Sequence, residues 1–70
     1  MRLKPVDSDM LRLVGYDARA RVLEVVFNTG GTYQYKEVPA DEYEGLISAE
    51  SIGQYMHRHI IDHYDYERIN

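Results

Sequence analysis

The chain has 70 residues, no cysteine and a formal net charge of −4. This length allows one small domain at most, and the absence of cysteine excludes disulfides and thiolate metal ligands. No segment approaches the about 20 apolar residues of a membrane span, and the basic N-terminus lacks the apolar stretch of a signal peptide. We therefore expect a cytoplasmic protein without a membrane partner. The acidic balance disfavours a large nucleic-acid footprint, because phosphate contacts supply most of such affinity.

Three strands are predicted after an N-terminal leader at residues 1–8. The segment 21–27 is rich in β-branched and aromatic residues, and the segments 10–16 and 32–38 carry apolar residues in a strand-like pattern. Short polar loops connect the three segments, and Gly30 in the second loop suits a backbone with positive φ. The pattern predicts an antiparallel β-meander.

Two helices are predicted after Pro39, which cannot donate to a sheet ladder and suits the entry to a helix. The first has acids in its first turn, where the helix dipole favours them, and Gly45 limits it to two turns. The second is capped by Ser48 or Ser51 and extends to about Tyr64. One stripe of this helix contains residues at 3.6-residue spacing: Ile52, Tyr55, Met56, His59, Ile60 and His63.

The predicted fold is therefore α+β, a three-stranded antiparallel β-meander followed by two helices packed on one face. Residues 9–64 form this single domain, and residues 65–70 form a polar C-terminal tail that we expect to be frayed.

The register of the second hairpin follows from its loop. A three-residue loop with Gly30 in the left-handed region and a bulge places Val25 opposite Tyr33, and Leu23 opposite Tyr35. A two-residue loop would instead place polar residues on the apolar face. The first register is therefore preferred, and it puts both tyrosines on the face that the helices cover.

The first hairpin is predicted in the same way. A five-residue loop at residues 17–21 pairs Leu13 with Val25 and Leu11 with Phe27, so that all three strands share one apolar face. The opposite face is then mixed and uncovered, which makes it the first place to expect a partner. Its predicted members are Met10, Arg12, Val14, Tyr16, Val22, Glu24, Val26, Gln34 and Lys36.

Four sequence features in this order resemble the KTSC domain, a short module found at the C-terminus of some lysyl-tRNA synthetases and in free-standing small bacterial proteins. They are Val14-Gly15-Tyr16-Asp17; the strand 23–27 leading into Gly30-Gly31; the central Tyr33-Gln34-Tyr35 followed by Val38-Pro39; and Leu46, Ala49, Ser51 and Gly53, then Tyr55 and Ile60. Family members commonly carry Asn beside the aromatic residue of the second helix, where this chain has Met56-His57-Arg58-His59. The resemblance implies a bacterial accessory module, with RNA binding suggested by the fusion to a tRNA synthetase.

Two binding hypotheses follow from these residues, and they leave the oligomeric state open. In the first, structured RNA such as tRNA binds through phosphate contacts from Arg12, Arg19, Arg21 and Lys36, with Tyr16 available for stacking. In the second, the uncovered sheet face binds another protein or a second copy of the chain through Val14, Tyr16, Val22 and Val26.

The remaining polar residues do not form a catalytic, cofactor or metal site. His59 and His63 share a helix face at a spacing that can hold zinc, but a site needs three or four ligands. No phosphate-binding glycine loop is present, because Gly30-Gly31 precedes a strand and not a helix. The Tyr33/Tyr35 pair is an alternative stacking platform, although the preferred register places both rings in the core. We therefore expect no enzyme activity, no cofactor and no metal.

Overall fold

The computed structural model describes all residues, Met1–Asn70, and contains a five-stranded antiparallel sheet with the strands in sequence order. The helices lie between β4 and β5 along the chain. The elements are β1 (Lys4–Pro5), β2 (Leu11–Asp17), β3 (Val22–Phe27), β4 (Thr32–Tyr35), α1 (Ala40–Ser48), α2 (Ile52–Tyr55), a π-helical turn (Met56–Ile60) that continues α2, and β5 (Tyr66–Arg68). The α+β class and the central meander followed by helices are confirmed. The predicted number of three strands was too low, because the sheet has five.

The two additional strands come from the ends of the chain. In β1, Lys4 lies opposite Val14, and in β5, Tyr66 lies opposite Tyr35. Beyond β5, the N–H of Thr32 donates to the carbonyl of Asn70 at 3.0 Å. The prediction that the last six residues are frayed was therefore wrong, because this segment supplies the second hydrogen-bonding partner of β4.

The hairpin between β3 and β4 has the predicted register. Gly30 has φ 114°, its N–H donates to the carbonyl of Phe27 at 2.8 Å, and the N–H of Phe27 donates to the carbonyl of Gly31 at 2.9 Å. Val25 then lies opposite Tyr33. A glycine at this position lets the chain close a short loop that matches the twist of the strands.

The register of β2 differs from the prediction because the strand contains an irregularity after Leu11. The pairing shifts between Leu11 and Leu13, so Leu13 lies opposite Val26 and Val14 lies opposite Val25. One extra residue reverses which side chains face the helices in the rest of the strand. Val14 is only 1% exposed, so the prediction that it lies on the uncovered face was wrong.

Tyr16 was also assigned to the wrong face, for the same reason. Its ring stacks on Tyr43 of α1 with centroids 4.9 Å apart, and its hydroxyl donates to the carbonyl of Val38 at 2.5 Å. The half-buried ring therefore joins the sheet to the helix layer. One face of the Tyr16 ring is occupied by Tyr43 and cannot stack on a base.

The core lies between one sheet face and the helical layer. The Ser51 hydroxyl accepts from the N–H of Gln54 and caps α2, as one of the two predicted caps. The helical segment ends at Ile60 and not at Tyr64, because the N–H of Ile61 donates to the carbonyl of Met56 at 2.7 Å and closes the wider π turn. None of the helices is long and apolar enough to cross a bilayer. The buried apolar residues are Leu11, Val14, Leu23, Val25, Tyr35, Val38, Leu46, Met56 and Ile60.

Candidate functional site

Three of the four predicted phosphate-contacting cations lie at one end of the sheet, which we call the turn end: Arg19, Arg21 and Lys36. The arginines belong to the β2–β3 loop, and the N–H of Val38 donates to the carbonyl of Arg21 at 2.8 Å. This bond holds the loop beside the segment after β4 that carries Lys36. Arg12 lies near the other end of β2, about 20 Å away at the usual rise of a strand. The structure therefore separates Arg12 from the other three cations.

The loop at the turn end is held by hydrogen bonds from its backbone to the side chain of Asp17. The carboxylate of Asp17 accepts from the N–H groups of Arg19 at 3.0 Å and Ala20 at 3.2 Å, an arrangement typical of Asx turns. Arg21 completes the reversal with φ 57°. The Arg19 and Arg21 side chains are exposed, and the backbone that carries them is held in place. The loop therefore exposes two guanidinium groups from an ordered backbone.

Lys36 at the turn end is paired, but only at the surface. Its Nζ lies 3.3 Å from Oε1 of Glu67 in β5, and the two side chains are 52% and 62% exposed. An ion pair this exposed contributes little free energy. A phosphate can therefore displace Glu67 from Lys36 at small cost.

We call the sheet face turned away from the helices the outer face. The residues on it differ from those predicted. Val22 and Val26 lie on it and are half-buried, and Leu13 takes the place that was assigned to Val14. Gly15 is covered by the N-terminal segment, since a Cβ there would lie 2.8 Å from Cδ2 of Leu3. The predicted protein interface is therefore split between this face and the core.

A recess, which we call the edge cleft, lies between β4, β5 and the residues Ile61 and Asp62 that follow the helical segment. It has a volume of about 390 Å³. Tyr66 on its wall is 57% exposed, whereas Tyr35 at its inner end is 4% exposed. Its lining residues are Phe27, Thr29, Gly31, Tyr33, Tyr35, Ile61, Asp62, Tyr66 and Arg68.

Both tyrosines of the predicted stacking pair therefore line the cleft, but Tyr35 also belongs to the buried core. Burial is the main cause that raises the pKa of Tyr35 to about 12, followed by the neighbouring Tyr33, Tyr66 and Asp62. Tyr33 is half-buried and lines the cleft. Sequence reasoning missed Tyr66 and Arg68 because they were assigned to a frayed tail. The available signal was their spacing of two, which places both side chains on one face of a strand.

A larger cleft of about 700 Å³ adjoins the edge cleft at Phe27 and Thr29. It lies between the N-terminal segment, the β3–β4 loop and the start of α2. The acids Asp7, Asp9 and Glu50 line it. This cleft is therefore an unfavourable position for a phosphate.

Tyr55, His59 and Tyr64 gather around Glu42 of α1. Its carboxylate accepts from the hydroxyls of Tyr55 at 2.6 Å and Tyr64 at 2.9 Å, and Nδ1 of His59 lies 3.5 Å from it. Burial, together with the bond to Glu42, raises the pKa of Tyr55 to about 12 and also raises the pKa of Tyr64. These bonds join α1 to the end of the chain's helical segment, and no group of three metal-ligating side chains forms.

Comparison with known protein families and structures gives one consistent result. The family model of the KTSC domain matches residues 7–64. The crystal structure of a KTSC domain protein from Yersinia pestis is 33% identical, superposes with a TM-score of 0.96, and covers 99% of this chain and 97% of that one.

Relatives of two kinds match this chain. An uncharacterised protein from Stutzerimonas stutzeri is 35% identical over the whole of both chains. A lysine–tRNA ligase from Trichormus variabilis is 32% identical over 68 residues, which cover 97% of this chain but only 12% of the ligase. The same fold therefore occurs both alone and as a small part of a much larger enzyme.

Proposed function

The chain belongs to the KTSC domain family, and from this premise we propose that it is a non-catalytic module that binds structured RNA in the cytoplasm. The observation that carries the proposal is the gathering of Arg19, Arg21 and Lys36 at the turn end. The ligase relatives support it, because a lysine–tRNA ligase has tRNA as its substrate. Arg12 stands apart from the proposed site.

The turn end suits phosphate recognition for two reasons. Arginine and lysine donate charge-assisted hydrogen bonds to phosphate oxygens, and the Asp17 bonds fix the backbone from which the arginines extend. The net charge of −4 opposes long-range attraction of RNA. We therefore expect weak binding that depends on a few local contacts and falls steeply with salt.

The test is the anisotropy of fluorescently labelled tRNA titrated with the full chain at several salt concentrations. Arg19→Ala removes one exposed guanidinium without changing the backbone bonds of the loop. We expect this variant to bind more weakly and to reduce the salt slope by about 1. Arg12→Ala is the matched control, because it removes the same charge from the other end of β2. Equal losses in both variants would show that net charge and not the turn end carries the binding.

A second candidate function is a protein contact through the outer face, and the half-buried apolar residues Leu13, Val22 and Val26 on this face favour it. Apolar contacts survive salt, whereas phosphate contacts do not. Sedimentation over a range of protein concentrations tests for self-association. A dimer that dissociates in Val26→Asp would support this function, and a monomer at all concentrations would exclude a homodimer on this face.

A further inference from the structure

We propose that the edge cleft binds one unpaired nucleotide of the RNA, with its base stacked on Tyr66 beside Tyr33 and its phosphate held by Arg68. This inference rests on the proposed function, because it takes RNA as the partner. The inference adds a second site, formed by Tyr33, Tyr66 and Arg68, none of which belongs to the turn end. The turn end would contact the phosphate backbone, and the edge cleft would require a base that is free of pairing.

The cleft offers a continuous aromatic surface and not a slot between rings. The ring centroids of Tyr33 lie 5.2 Å from Phe27 and 5.4 Å from Tyr66, and those of Tyr35 and Tyr66 lie 5.7 Å apart. Rings at these distances are in contact with one another, so a ligand cannot enter between them. A flat ligand can instead lie on the exposed Tyr66 ring, as unpaired bases do on aromatic side chains.

The guanidinium of Arg68, whose two terminal nitrogens have no partner in the protein, lies beside this aromatic surface. Cζ of Arg68 is 5.9 Å from the centroid of Tyr33, and its Nε donates to the carbonyl of Asn70 at 3.2 Å. No other hydrogen bond or ion pair joins this guanidinium to the protein. Its two terminal nitrogens can therefore bind a phosphate in the paired geometry that arginine favours.

Gly31 lies against both the Tyr33 ring and the Arg68 guanidinium, and its lack of a side chain leaves room for the ring. A Cβ at this position would lie 2.9 Å from Cε1 of Tyr33 and 3.7 Å from Cζ of Arg68. Any side chain here would push the Tyr33 ring, because 2.9 Å is closer than an ordinary contact. The glycine therefore keeps open the corner between the ring and the cation.

The opposite charges of Arg68 and Asp62 determine the orientation in which a nucleotide would bind in the cleft. Asp62 lines the same cleft as Arg68, and an ionised carboxylate accepts hydrogen bonds but repels a phosphate. The phosphate therefore belongs at Arg68, and the amino or imino groups of the base belong toward Asp62. The cleft volume of about 390 Å³ is near the low end of the range for small-ligand sites, about 300–1,000 Å³. A single nucleotide suits this space.

The test is an amide chemical-shift titration of the labelled full chain with single-stranded oligoadenylate, and with a blunt RNA duplex for comparison. We expect the single strand to shift the amides of Tyr33, Tyr66 and Arg68, and the duplex to leave them unchanged. Tyr66→Ala should weaken oligoadenylate binding by about tenfold or more, because stacking on the ring is lost. Tyr66→Phe is the control, because it keeps the ring and should keep the affinity.

The role of Arg68 is tested with adenosine monophosphate and adenosine. We expect the wild-type chain to bind the nucleotide more tightly than the nucleoside, and Arg68→Ala to abolish this difference while adenosine still shifts Tyr66. Equal binding of nucleotide and nucleoside by the wild-type chain would overturn the assignment of the phosphate.

Failure of this inference can be told apart from failure of the proposed function. If Tyr66→Ala binds tRNA and oligoadenylate like the wild type while Arg19→Ala loses tRNA, the edge cleft is not a nucleotide site but the RNA function stands. If no RNA shifts any amide, both are overturned. If the cleft amides respond only to protein concentration, the cleft is a protein contact and the inference is overturned.

Discussion

Two glycines in the helices differ in the space that surrounds them, and this difference decides how each affects stability. In α1, a Cβ at Gly45 would overlap the Tyr55 hydroxyl and lie 2.8 Å from its Cζ. That hydroxyl donates to Glu42, so Gly45 makes room for a bond between the helices. In α2, a Cβ at Gly53 would meet only Cβ of Met10, at an ordinary contact distance of 3.7 Å.

Substitution of these glycines by alanine should therefore change stability in opposite directions. Gly53→Ala should raise the free energy of unfolding by up to about 1 kcal/mol, the intrinsic helical preference of alanine. Gly45→Ala gains the same preference but displaces Tyr55, and overpacking of this kind costs about 1–3 kcal/mol. Urea unfolding of both variants checks the prediction. Stabilisation by Gly45→Ala would show that Tyr55 moves freely and that its bond to Glu42 contributes little.

The raised pKa of Tyr35 in the core predicts how stability depends on alkaline pH. Burial raises the pKa of Tyr35 from 10.0 to about 12, so the folded state binds the proton more tightly than the unfolded chain. Its contribution to the free energy of unfolding is complete below pH 10 and is lost as the pH rises toward 12. The slope is at most about 1.4 kcal/mol per pH unit for one group. Urea unfolding across this range should show a shallower slope for Tyr35→Phe than for the wild type, and equal slopes would contradict the account.

At the scale of the elements, the sequence predicted the β3–β4 hairpin because its register depends on local features. Gly30 selects the loop, and the alternation of Tyr33 and Tyr35 fixes the face. The register of β2 could not be predicted, because nothing in the composition around Arg12 marks the extra residue. Both possible faces of β2 carry apolar residues, so the hydrophobic pattern allowed either choice.

The edge strands β1 and β5 were missed for a different reason. Each has three residues or fewer and few apolar side chains, so its pairing depends on the neighbouring strand and not on its own propensity. The covered position at Gly15, where Leu3 rests, is likewise visible only once the register of β2 is known. The edge cleft depends on β5 and therefore could not be derived either.

Removal of residues 65–70 should leave the fold intact but expose β4. The buried core cluster contains no residue after Ile60, and Tyr66 of β5 contacts it at Tyr35, so most of its packing does not require β5. The backbone bonds of Thr32 and Lys36 to Asn70 and Asp65 would be lost. Amide hydrogen exchange should therefore become faster at Thr32 and Lys36 and stay slow at Val25 in the centre of the sheet. Global loss of protection would show that β5 is required for folding.

For the whole molecule, the sequence was sufficient for the fold class, the family and most core positions, but not for the grouping of the candidate binding residues. Arg19, Arg21 and Lys36 come together through the hairpin and the bond between Val38 and Arg21. Tyr16 was removed from the candidate set by the register of β2. Charge and residue type supplied the candidates, and only the topology decided which of them share a surface.

The central claim is that the turn end binds structured RNA, and the most direct measurement is an amide chemical-shift titration of the labelled chain with bulk tRNA. It should be carried out at about 50 mM and about 200 mM salt, a range over which phosphate contacts weaken strongly. We expect shifts around Arg19, Arg21 and Lys36 at low salt that are lost at high salt, with Arg12 unaffected. No shifts at low salt, or shifts confined to the outer face, would contradict it.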